Sequence, residues 1–269
     1  MTPSTTQDQD FPYWLVAVCL IGLCLGYVIF TNDIYAQVFD KVTNGIGITI
    51  FVTIIGFSCA SIIGLGLAVM SLSRFIALRQ IARFYIEVIR GLPILILLFF
   101  IAFAATPGLV WAANMITAPL QKSGVMDAIT IRDFSLLARA MFALMIGYSA
   151  FIAEIFRAGI QSVDKGQIEA AKALGLSGWQ RFRLIVFPQA IRTILPPLGN
   201  DFVAMVKDSS LVSVLGVADI TQLAKVYAAG SFRYLETYSI AAYVYLILTI
   251  GLSMALRTLE QRMRKSQQR

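Results

Sequence analysis

Hydrophobic residues along the chain form long runs that contain no charged side chain. Four such runs cover residues 11–32, 42–73, 91–121 and 237–256. Each run is long enough to cross the hydrocarbon layer of a bilayer, about 30 Å thick, because an α-helix rises about 1.5 Å per residue. The pattern therefore predicts several membrane-spanning helices.

Six spanning helices are predicted when two less apolar segments are included. The fourth and fifth are shorter in their uncharged cores, and the fifth contains Asp201, Lys207 and Asp208. We therefore expect an all-α polytopic membrane protein. The predicted helices cover residues 11–31, 45–73, 84–105, 136–158, 195–217 and 237–257.

Composition supports the membrane class. The 269-residue chain is 58% hydrophobic and only 14% charged, whereas a soluble domain carries nearer a quarter charged residues. The first apolar run follows a tail with Asp8 and Asp10 but no basic residue, and it exceeds the apolar region of a cleaved signal peptide. We expect this run to remain as a membrane anchor. The cysteines Cys19, Cys24 and Cys59 lack metal-ligand spacing, and no metal site is expected.

The basic residues are distributed unevenly between the predicted helices. Residues 74–90, 157–192 and 257–269 hold 15 Lys and Arg side chains, whereas the opposite connections hold five. Basic loops remain in the cytoplasm, so these three segments and both termini are predicted to be cytoplasmic. The net charge of +7 thus reflects topology and contact with anionic lipid, and no nucleic-acid partner is expected.

The longest predicted external connection is 106–132. It contains Pro107, Gly108, Pro119 and Gly124, which favour turns. Its apolar residues, which include Trp111, suggest a loop that lies along the membrane surface.

A polar cytoplasmic hairpin is predicted at residues 162–192. Asp164 can cap a first short helix, with Gln167 reaching back to complete a capping box, and Gly175 suits a left-handed helix end. Ser177 and Gln180 repeat the box for a second helix, which Pro188 is expected to end.

The predicted faces of the hairpin allow two interpretations. On the first helix, Ile168, Ala171 and Leu174 share one apolar face, and Trp179, Phe182 and Ile185 form the apolar face of the second. The hairpin is then either an interfacial helix on the bilayer or a docking helix in a groove of a cytoplasmic partner. A further small surface of Gly166, Ala170, Ala171 and Ala173 favours docking against protein.

The same residues resemble a known motif. Glu169-Ala170-Ala171, followed by Gly175, Ile185 and Pro188, is similar to the EAA loop of ATP-binding-cassette (ABC) importer permeases of type I. The segments YIEVIRGLP at 85–93 and AEIFRAGI at 153–160 resemble the polar amino acid branch of that family, the histidine/glutamine/glutamate-type permeases.

The resemblance implies an organisation and a set of partners. Residues 1–41 would form an N-terminal tail and an extra helix, 42–260 the permease domain and 261–269 a basic cytoplasmic tail in the bacterial inner membrane. The implied partners are an ABC ATPase, a second permease subunit of the same or different sequence, an external solute-binding protein and an amino acid substrate. ATP would be bound by the ATPase, and no cofactor is expected in this chain. The implied coupling residues are Gly166, Gln167, Glu169, Ala170, Ala171, Leu174, Gly175 and Pro188.

Charges inside the predicted fifth helix are costly in a bilayer and usually face a bundle interior or an aqueous path. If that helix begins after Pro196-Pro197, Lys207 lies about 15 Å along it, near the bilayer midplane. These polar residues are either a Lys–Asp network that locks the helices together or part of the translocation route. The candidates for that route are Asn200, Asp201, Lys207, Asp208 and Ser210.

Missing residues exclude some chemistry. The chain has no histidine and no Gly-Lys dipeptide, so it lacks a histidine triad and a Walker A loop. Energy for an ABC permease must then come from a separate subunit. The competing hypotheses are an ion-coupled secondary transporter or channel that uses Lys207 and Asp208, and a membrane scaffold without transport.

Overall fold

A computed structural model describes residues 13–265, and this part of the chain contains helices and no strand. The N-terminal tail before Tyr13 and residues 266–269 of the basic tail lie outside the described residues. The helices are α1 Tyr13–Thr31, α2 Asp33–Thr43, α3 Ile46–Ser71, α4 Ile76–Gly91, α5 Ile94–Phe99, α6 Thr106–Lys122, α7 Leu136–Gln161, α8 Lys165–Ala173, α9 Gly178–Arg181, α10 Phe187–Asp208, α11 Ile220–Ser231 and α12 Tyr234–Lys265.

The polytopic all-α class is confirmed. Four described segments are long and apolar enough to cross a membrane, and a shorter apolar helix covers Leu15–Thr31. The fifth predicted span, 195–217, corresponds in part to α10, whose 22 residues extend about 33 Å but carry several charged side chains. The four long segments are Asp33–Ser71, Ile94–Lys122, Leu136–Gln161 and Tyr234–Leu259.

The predicted third span, 84–105, is wrong in its boundaries. Leu92 is extended (φ −100°, ψ 137°) and separates α4 from α5, because a residue before proline disfavours the helical conformation. The Tyr85 hydroxyl on α4 bonds to the Ile146 carbonyl, and Ile94 on α5 lies against Gly147. The chain on both sides of the break therefore contacts the same turn of α7, so α4 does not continue the span.

The predicted surface loop at 106–132 is also wrong. The helix continues from α5 through a π-helical segment, Phe100–Ala105, into α6 and ends only at Lys122. Pro107 directly follows the π segment, where the hydrogen-bond register changes and a missing N–H is accommodated. The Ile101 carbonyl accepts from both the N–H and the hydroxyl of Thr106, the latter at 2.7 Å. Gly124, at φ +72°, follows the helix end as the left-handed residue.

The connection between α6 and α7 is correspondingly short and is fixed by hydrogen bonds. Asn114 donates to the Ile129 carbonyl at 2.8 Å and accepts from the Ile129 N–H at 2.9 Å. Arg139 at the start of α7 donates to the carbonyl of Phe134 at 2.9 Å. These bonds hold the connection against both flanking helices.

The sequence suggested that prolines interrupt this part of the chain, but α10 continues through them. Pro188 lies in its first turn and Pro196 and Pro197 lie inside it, so the predictions that Pro188 ends a helix and that a helix begins after Pro197 are wrong. A π-helical segment, Phe182–Val186, joins α9 to α10. Because this wider turn changes the hydrogen-bond register, proline is accommodated without ending the helix.

Helix α7 is at the centre of the bundle and packs closely on α3. A β-carbon placed on Gly64 would lie 2.9 Å from the Ser149 carbonyl, so only glycine allows this approach. Small residues of α3 pack closely at Gly64 and at Gly56, which meets Met205, but not at Gly66, which faces open space.

The N-terminal helices pack on the last two helices of the chain. Val38 and Val42 of α2 share a buried cluster with Ile220 of α11 and Ile240 of α12. Asp219 caps α11 by accepting from the Gln222 N–H at 2.8 Å, and it also accepts from the Tyr245 hydroxyl at 3.2 Å. The N-terminal segment is thus built into the helical bundle.

Candidate functional site

In the hairpin between α7 and α10, the predicted capping residues lie at the two ends of α8. Asp164 accepts a hydrogen bond from the Gln167 N–H at 3.2 Å. At the other end, Gly175 adopts φ +73°, and the N–H of Leu176 bonds to the Ala171 carbonyl at 3.1 Å. This is the Schellman arrangement, in which a left-handed glycine satisfies the last carbonyls of the helix.

The second capping box forms as predicted, but the first is incomplete. The Ser177 N–H donates to the Gln180 side-chain oxygen at 2.8 Å, and the Gln180 N–H donates to the Ser177 hydroxyl at 3.3 Å. Gln167 does not reach back to Asp164, and its side-chain oxygen instead accepts from Gln189 Nε2 at 2.6 Å. The continuous helix after Arg181 brings Gln189 back beside α8 and offers Gln167 this alternative partner.

One face of α8 anchors the hairpin. Ala171 is 1% exposed, and the half-buried Ile168 packs against the buried cluster of Val163, Ala190 and Ile194. This cluster joins the ends of α7 and α10 to α8. Ala171, predicted as a coupling residue, is therefore buried within this chain and does not face the solvent.

The opposite face of α8 is open. Gly166, Glu169, Ala170 and Ala173 are exposed, and three of these four residues have no side chain larger than a methyl group. We call this set the small face. It lies opposite Ile168 and Ala171 on the helix, so it points away from the membrane bundle.

Leu174 was predicted to share the inward face of α8, and this prediction is wrong. The helix ends at Ala173, so Leu174 belongs to the capping turn, where its side chain is 80% exposed. Trp179 is also exposed, and its ring stacks on Phe182 at 5.7 Å between centroids. The hairpin thus presents large apolar side chains beside the small face, as protein interfaces do.

The polar residues of α10 do not form the Lys–Asp network that was one of the two interpretations. Within residues 13–265, Lys207 makes no ion pair, and its side chain is exposed. Asp208 accepts a 2.7 Å hydrogen bond from the Tyr148 hydroxyl on α7. Asn200 is exposed, Asp201 is half-buried, and the half-buried Ser210 belongs to the 3₁₀ segment Ser209–Leu215.

The predicted depth of Lys207 also changes. Because α10 begins at Phe187, Lys207 lies about 30 Å along it, next to its last residue. The prediction that Lys207 lies near the bilayer midplane assumed that the helix started after Pro196 and Pro197. Lys207 and Asn200 are seven residues apart, so they share one side of α10.

An apolar groove of about 320 Å³ lies on the other side of α10. Its lining comes from α3, α10 and α12 and is almost free of polar atoms. Because Phe202 and Val206 point into the groove, α10 separates this apolar surface from the side that carries Asn200 and Lys207. The lining residues are Ile50, Thr53, Ile54, Phe202, Val206, Leu248 and Leu252.

An intrahelical ion pair lies near the end of α7. Arg157 Nε donates to Glu154 Oε1 at 3.0 Å, and Arg157 also donates to Gln161 at 2.8 Å. Two further residues were not predicted as part of the site: Tyr148, the partner of Asp208, and Gln189, the partner of Gln167.

Comparison with known proteins identifies the family. The model of the family described as "binding-protein-dependent transport system inner membrane component" matches residues 60–265. The chain belongs to this family.

Curated relatives of this permease family are named for amino acid transport. The glutamine transport system permease protein GlnP of Escherichia coli K12 is 39% identical over 223 residues, which cover 82% of this chain and 92% of the relative. The octopine transport system permease protein OccM of Rhizobium radiobacter is 34% identical over 224 residues, which cover 83% of this chain and 86% of the relative.

Solved structures agree with the fold. The crystal structure of an amino acid ABC transporter with histidines matches with a TM-score of 0.69 and 35% identity, covering 83% of this chain and 94% of that chain. The inward-facing MetNI methionine ABC transporter matches with a TM-score of 0.62 at 19% identity, covering 82% and 95%, and shares the fold.

This permease is therefore an integral inner-membrane subunit of an ABC importer, and the ATPase is a separate subunit. Its relatives are permeases, so membership does not favour the ion-coupled alternative. The family also implies a binding-protein partner.

Proposed function

We propose that this permease imports polar or charged L-amino acids by alternating access, and that α8 couples it to the ATPase. The observation that carries the proposal is the small face of α8, which is exposed while the other face is buried in the permease. A rigid helix with small side chains outward can enter a groove on a partner, and its anchored side transmits the movement. The glutamine and octopine permeases support the substrate class.

The path for that movement is continuous in the structure. Ile168 of α8 packs against the buried cluster of Val163 with Ala190 and Ile194 of α10, and the Gln167–Gln189 bond adds a second link. Displacement of α8 by ATPase dimerisation would therefore move the start of α10. The far end of α10 carries Asp208 and its bond to Tyr148 on α7, so this contact would be strained or broken when α10 tilts relative to α7.

Asn200, Asp201, Lys207, Asp208 and Ser210 would line the route of the substrate or sense its opening. A free amino acid carries an ammonium and a carboxylate group, and side chains of both signs can form charge-assisted hydrogen bonds with them. Lys207 and Asn200 are exposed on the side of α10 that is opposite to the apolar groove. This side would face the route once a second permease subunit is present.

The complete importer would contain two permease subunits, two ATPase subunits and an external solute-binding protein. The basic segments 74–90 and 157–192 and both termini would lie in the cytoplasm, as the positive-inside rule predicts. ATP would bind to the ATPase subunits, and this chain would hold no cofactor.

Reconstitution tests the proposed function. Proteoliposomes that contain the permease with a candidate ATPase and binding protein should take up amino acid only when ATP is enclosed. Removal of the ATPase or of the binding protein should abolish uptake. Uptake by the permease alone, driven by an ion gradient, would instead support the secondary-transporter hypothesis.

A variant pair tests the role of α8. Ala170→Arg places a long side chain on the small face and keeps a good helix former, so uptake should fall by at least about ten-fold, as it does when an interface centre is blocked. Lys172→Ala, on the flank of α8, is the matched control and should leave uptake nearly unchanged. Normal uptake by Ala170→Arg would contradict docking through this face.

A further inference from the structure

Helix α4 is a separate amphipathic helix with one side attached to the bundle. Its buried side consists of Ala82 and Ile86, next to Tyr85, whose hydroxyl makes hydrogen bonds of 3.1 Å to the Ile146 carbonyl and 2.9 Å to Ser149. These contacts fix the rotation of α4 about its own axis, so the directions of its remaining side chains are defined.

One flank of α4 is apolar and uncovered. Leu78, Ile81, Phe84 and Val88 are exposed, and Phe84 reaches 72%. Their spacing of three or four residues places them on one stripe of the helix. We call this set the apolar flank. Such a continuous stripe is unfavourable in water, so it requires a nonpolar environment.

The opposite flank is basic. Arg79, Arg83 and Arg90 are four and seven residues apart, so they lie on one stripe on the far side from the apolar flank. Arg74 precedes the helix. Arg90 and Arg79 are partly engaged, since the Arg90 guanidinium lies 5.6 Å from the Phe151 ring of α7 and the half-buried Arg79 donates to the Ser73 carbonyl at 3.4 Å. The side chain of Arg83 is exposed. Residues 74–90 contain four arginines and a single acidic residue, Glu87.

The placement of α4 in the bundle defines what each flank meets. Tyr85 on α4 and Ile94 on α5 contact the same turn in the middle of α7, so the C-terminal half of α4 reaches into the bundle. Its apolar flank is uncovered by any described helix, and its basic flank is on the other side. The start of α4 lies about 14 Å of helix before Tyr85, about half the thickness of the hydrocarbon layer, so the first arginines are near the headgroups and the apolar flank is beside the acyl chains.

We propose that α4 binds anionic phospholipid of the cytoplasmic leaflet. Arg74, Arg79 and Arg83 hold the phosphate groups, and the apolar flank lies among the acyl chains. Charge complementarity favours an anionic lipid, because four basic residues face one acidic residue in this segment. The proposal rests on the cytoplasmic orientation in the proposed function, but lipid binding is measured on the permease alone and does not depend on the ATPase.

Lipid affinity tests the basic flank. The full-length permease, purified in detergent, is titrated with dioleoylphosphatidylglycerol and with dioleoylphosphatidylcholine, and the bound lipid is counted by native mass spectrometry. Each arginine near an anionic surface changes affinity by about five-fold. The double variant Arg79→Gln/Arg83→Gln should therefore lose about 25-fold in phosphatidylglycerol affinity with little change for phosphatidylcholine.

The matched control is Lys225→Gln/Arg233→Gln, which removes two basic residues of α11 and its C-terminal connection. This control should retain the phosphatidylglycerol affinity of the parent protein. Equal affinities of the α4 variant and the parent, or equal losses in variant and control, would overturn the proposal.

Accessibility of spin labels tests the apolar flank. In a background with Cys19, Cys24 and Cys59 replaced by serine, single labels at Ile81→Cys, Phe84→Cys and Arg83→Cys are measured in vesicles of phosphatidylglycerol and phosphatidylcholine. Labels at 81 and 84 should collide mainly with oxygen, which concentrates in hydrocarbon, and the label at 83 with a water-soluble nickel complex. Water exposure at 81 and 84 would overturn the proposal.

The ATPase is the alternative occupant of the basic flank. If the ATPase binds there, adding it should reduce the collisions of the label at position 83 with the nickel complex, and the α4 variant should keep its phosphatidylglycerol affinity. These two results together would overturn the lipid assignment. Failure of the proposed function would be seen in a different experiment, the reconstitution, as amino acid uptake that does not require the ATPase.

Discussion

The hydroxyl of Tyr148, in the middle of α7, donates a 2.7 Å hydrogen bond to the carboxylate of Asp208 at the last residue of α10. Tyr148 is only 4% exposed, so this bond connects the central helix of the bundle to the end of α10 that is farthest from the hairpin. A contact between neutral and charged groups in a nonpolar environment is stronger than an average hydrogen bond. It is therefore suited to define one resting arrangement of α7 and α10.

The first prediction removes this bond. Tyr148→Phe keeps the ring and leaves Asp208 without its donor, so the free energy of unfolding should fall by about 1.5–3 kcal/mol. For a chain of this size, the melting temperature in detergent should fall by several degrees. Tyr27→Phe, at an exposed ring of α1, is the control and should change neither value. A variant as stable as the control would show that the bond does not stabilise the resting state.

The second prediction concerns the bond between Gln167 and Gln189, 2.6 Å long. Gln167→Leu and Gln189→Leu should each lower the amino acid uptake per ATP hydrolysed, because each removes a link between α8 and α10. The double variant should be no worse than the more severe single variant, since the same interaction is lost. Purely additive losses would indicate that the two residues act separately.

The third prediction uses two glycines of the same helix. Gly64→Ala places a methyl group 2.9 Å from the Ser149 carbonyl, and overpacking of this kind costs about 1–3 kcal/mol. Gly66→Ala enters open space and should stabilise the helix by up to about 1 kcal/mol. Thermal unfolding in detergent should therefore shift in opposite directions for the two variants, and a shift of the same sign would contradict the α3–α7 packing.

Much of the fold could be predicted because membrane helices depend on a strong and simple signal. Long uncharged runs located α1, α3 and α12 within a few residues, with α12 extending beyond its predicted end, and a shorter uncharged core located α7. The capping residues Asp164, Ser177 and Gly175 were predictable for a similar reason, since each satisfies the orphan groups of a helix end within a few residues of sequence.

The failures occurred where a local signal depends on distant structure. Pro107, Pro188, Pro196 and Pro197 were interpreted as helix breaks, but the cost of proline depends on whether nearby carbonyl groups find other partners. Two π-helical segments, which change the hydrogen-bond register just before Pro107 and Pro188, provide part of that compensation here. No pattern in the sequence announces a π-helical turn, so the continuity of α6 and α10 could not be derived.

The site could be predicted only in part for the same reason. Glu169, Ala170 and Ala171 lie on one short helix, as predicted. Which of them is buried depends on the path of α10, which the sequence does not show. Gln167 and Gln189 are 22 residues apart, and Tyr148 and Asp208 are 60 residues apart. Pairs at that separation are set by tertiary packing, which residue types alone do not determine.

Site-specific cross-linking of the hairpin tests the central claim most directly. A photoreactive amino acid at Ala173 on the small face, compared with one at Trp111 on α6, is activated in native membranes, and the adducts are identified by mass spectrometry. The account predicts that position 173 forms an adduct with an ABC ATPase and that position 111 does not. An adduct with an external protein at position 173, or the absence of any ATPase adduct there, would contradict the claim that α8 couples this permease to the ATPase.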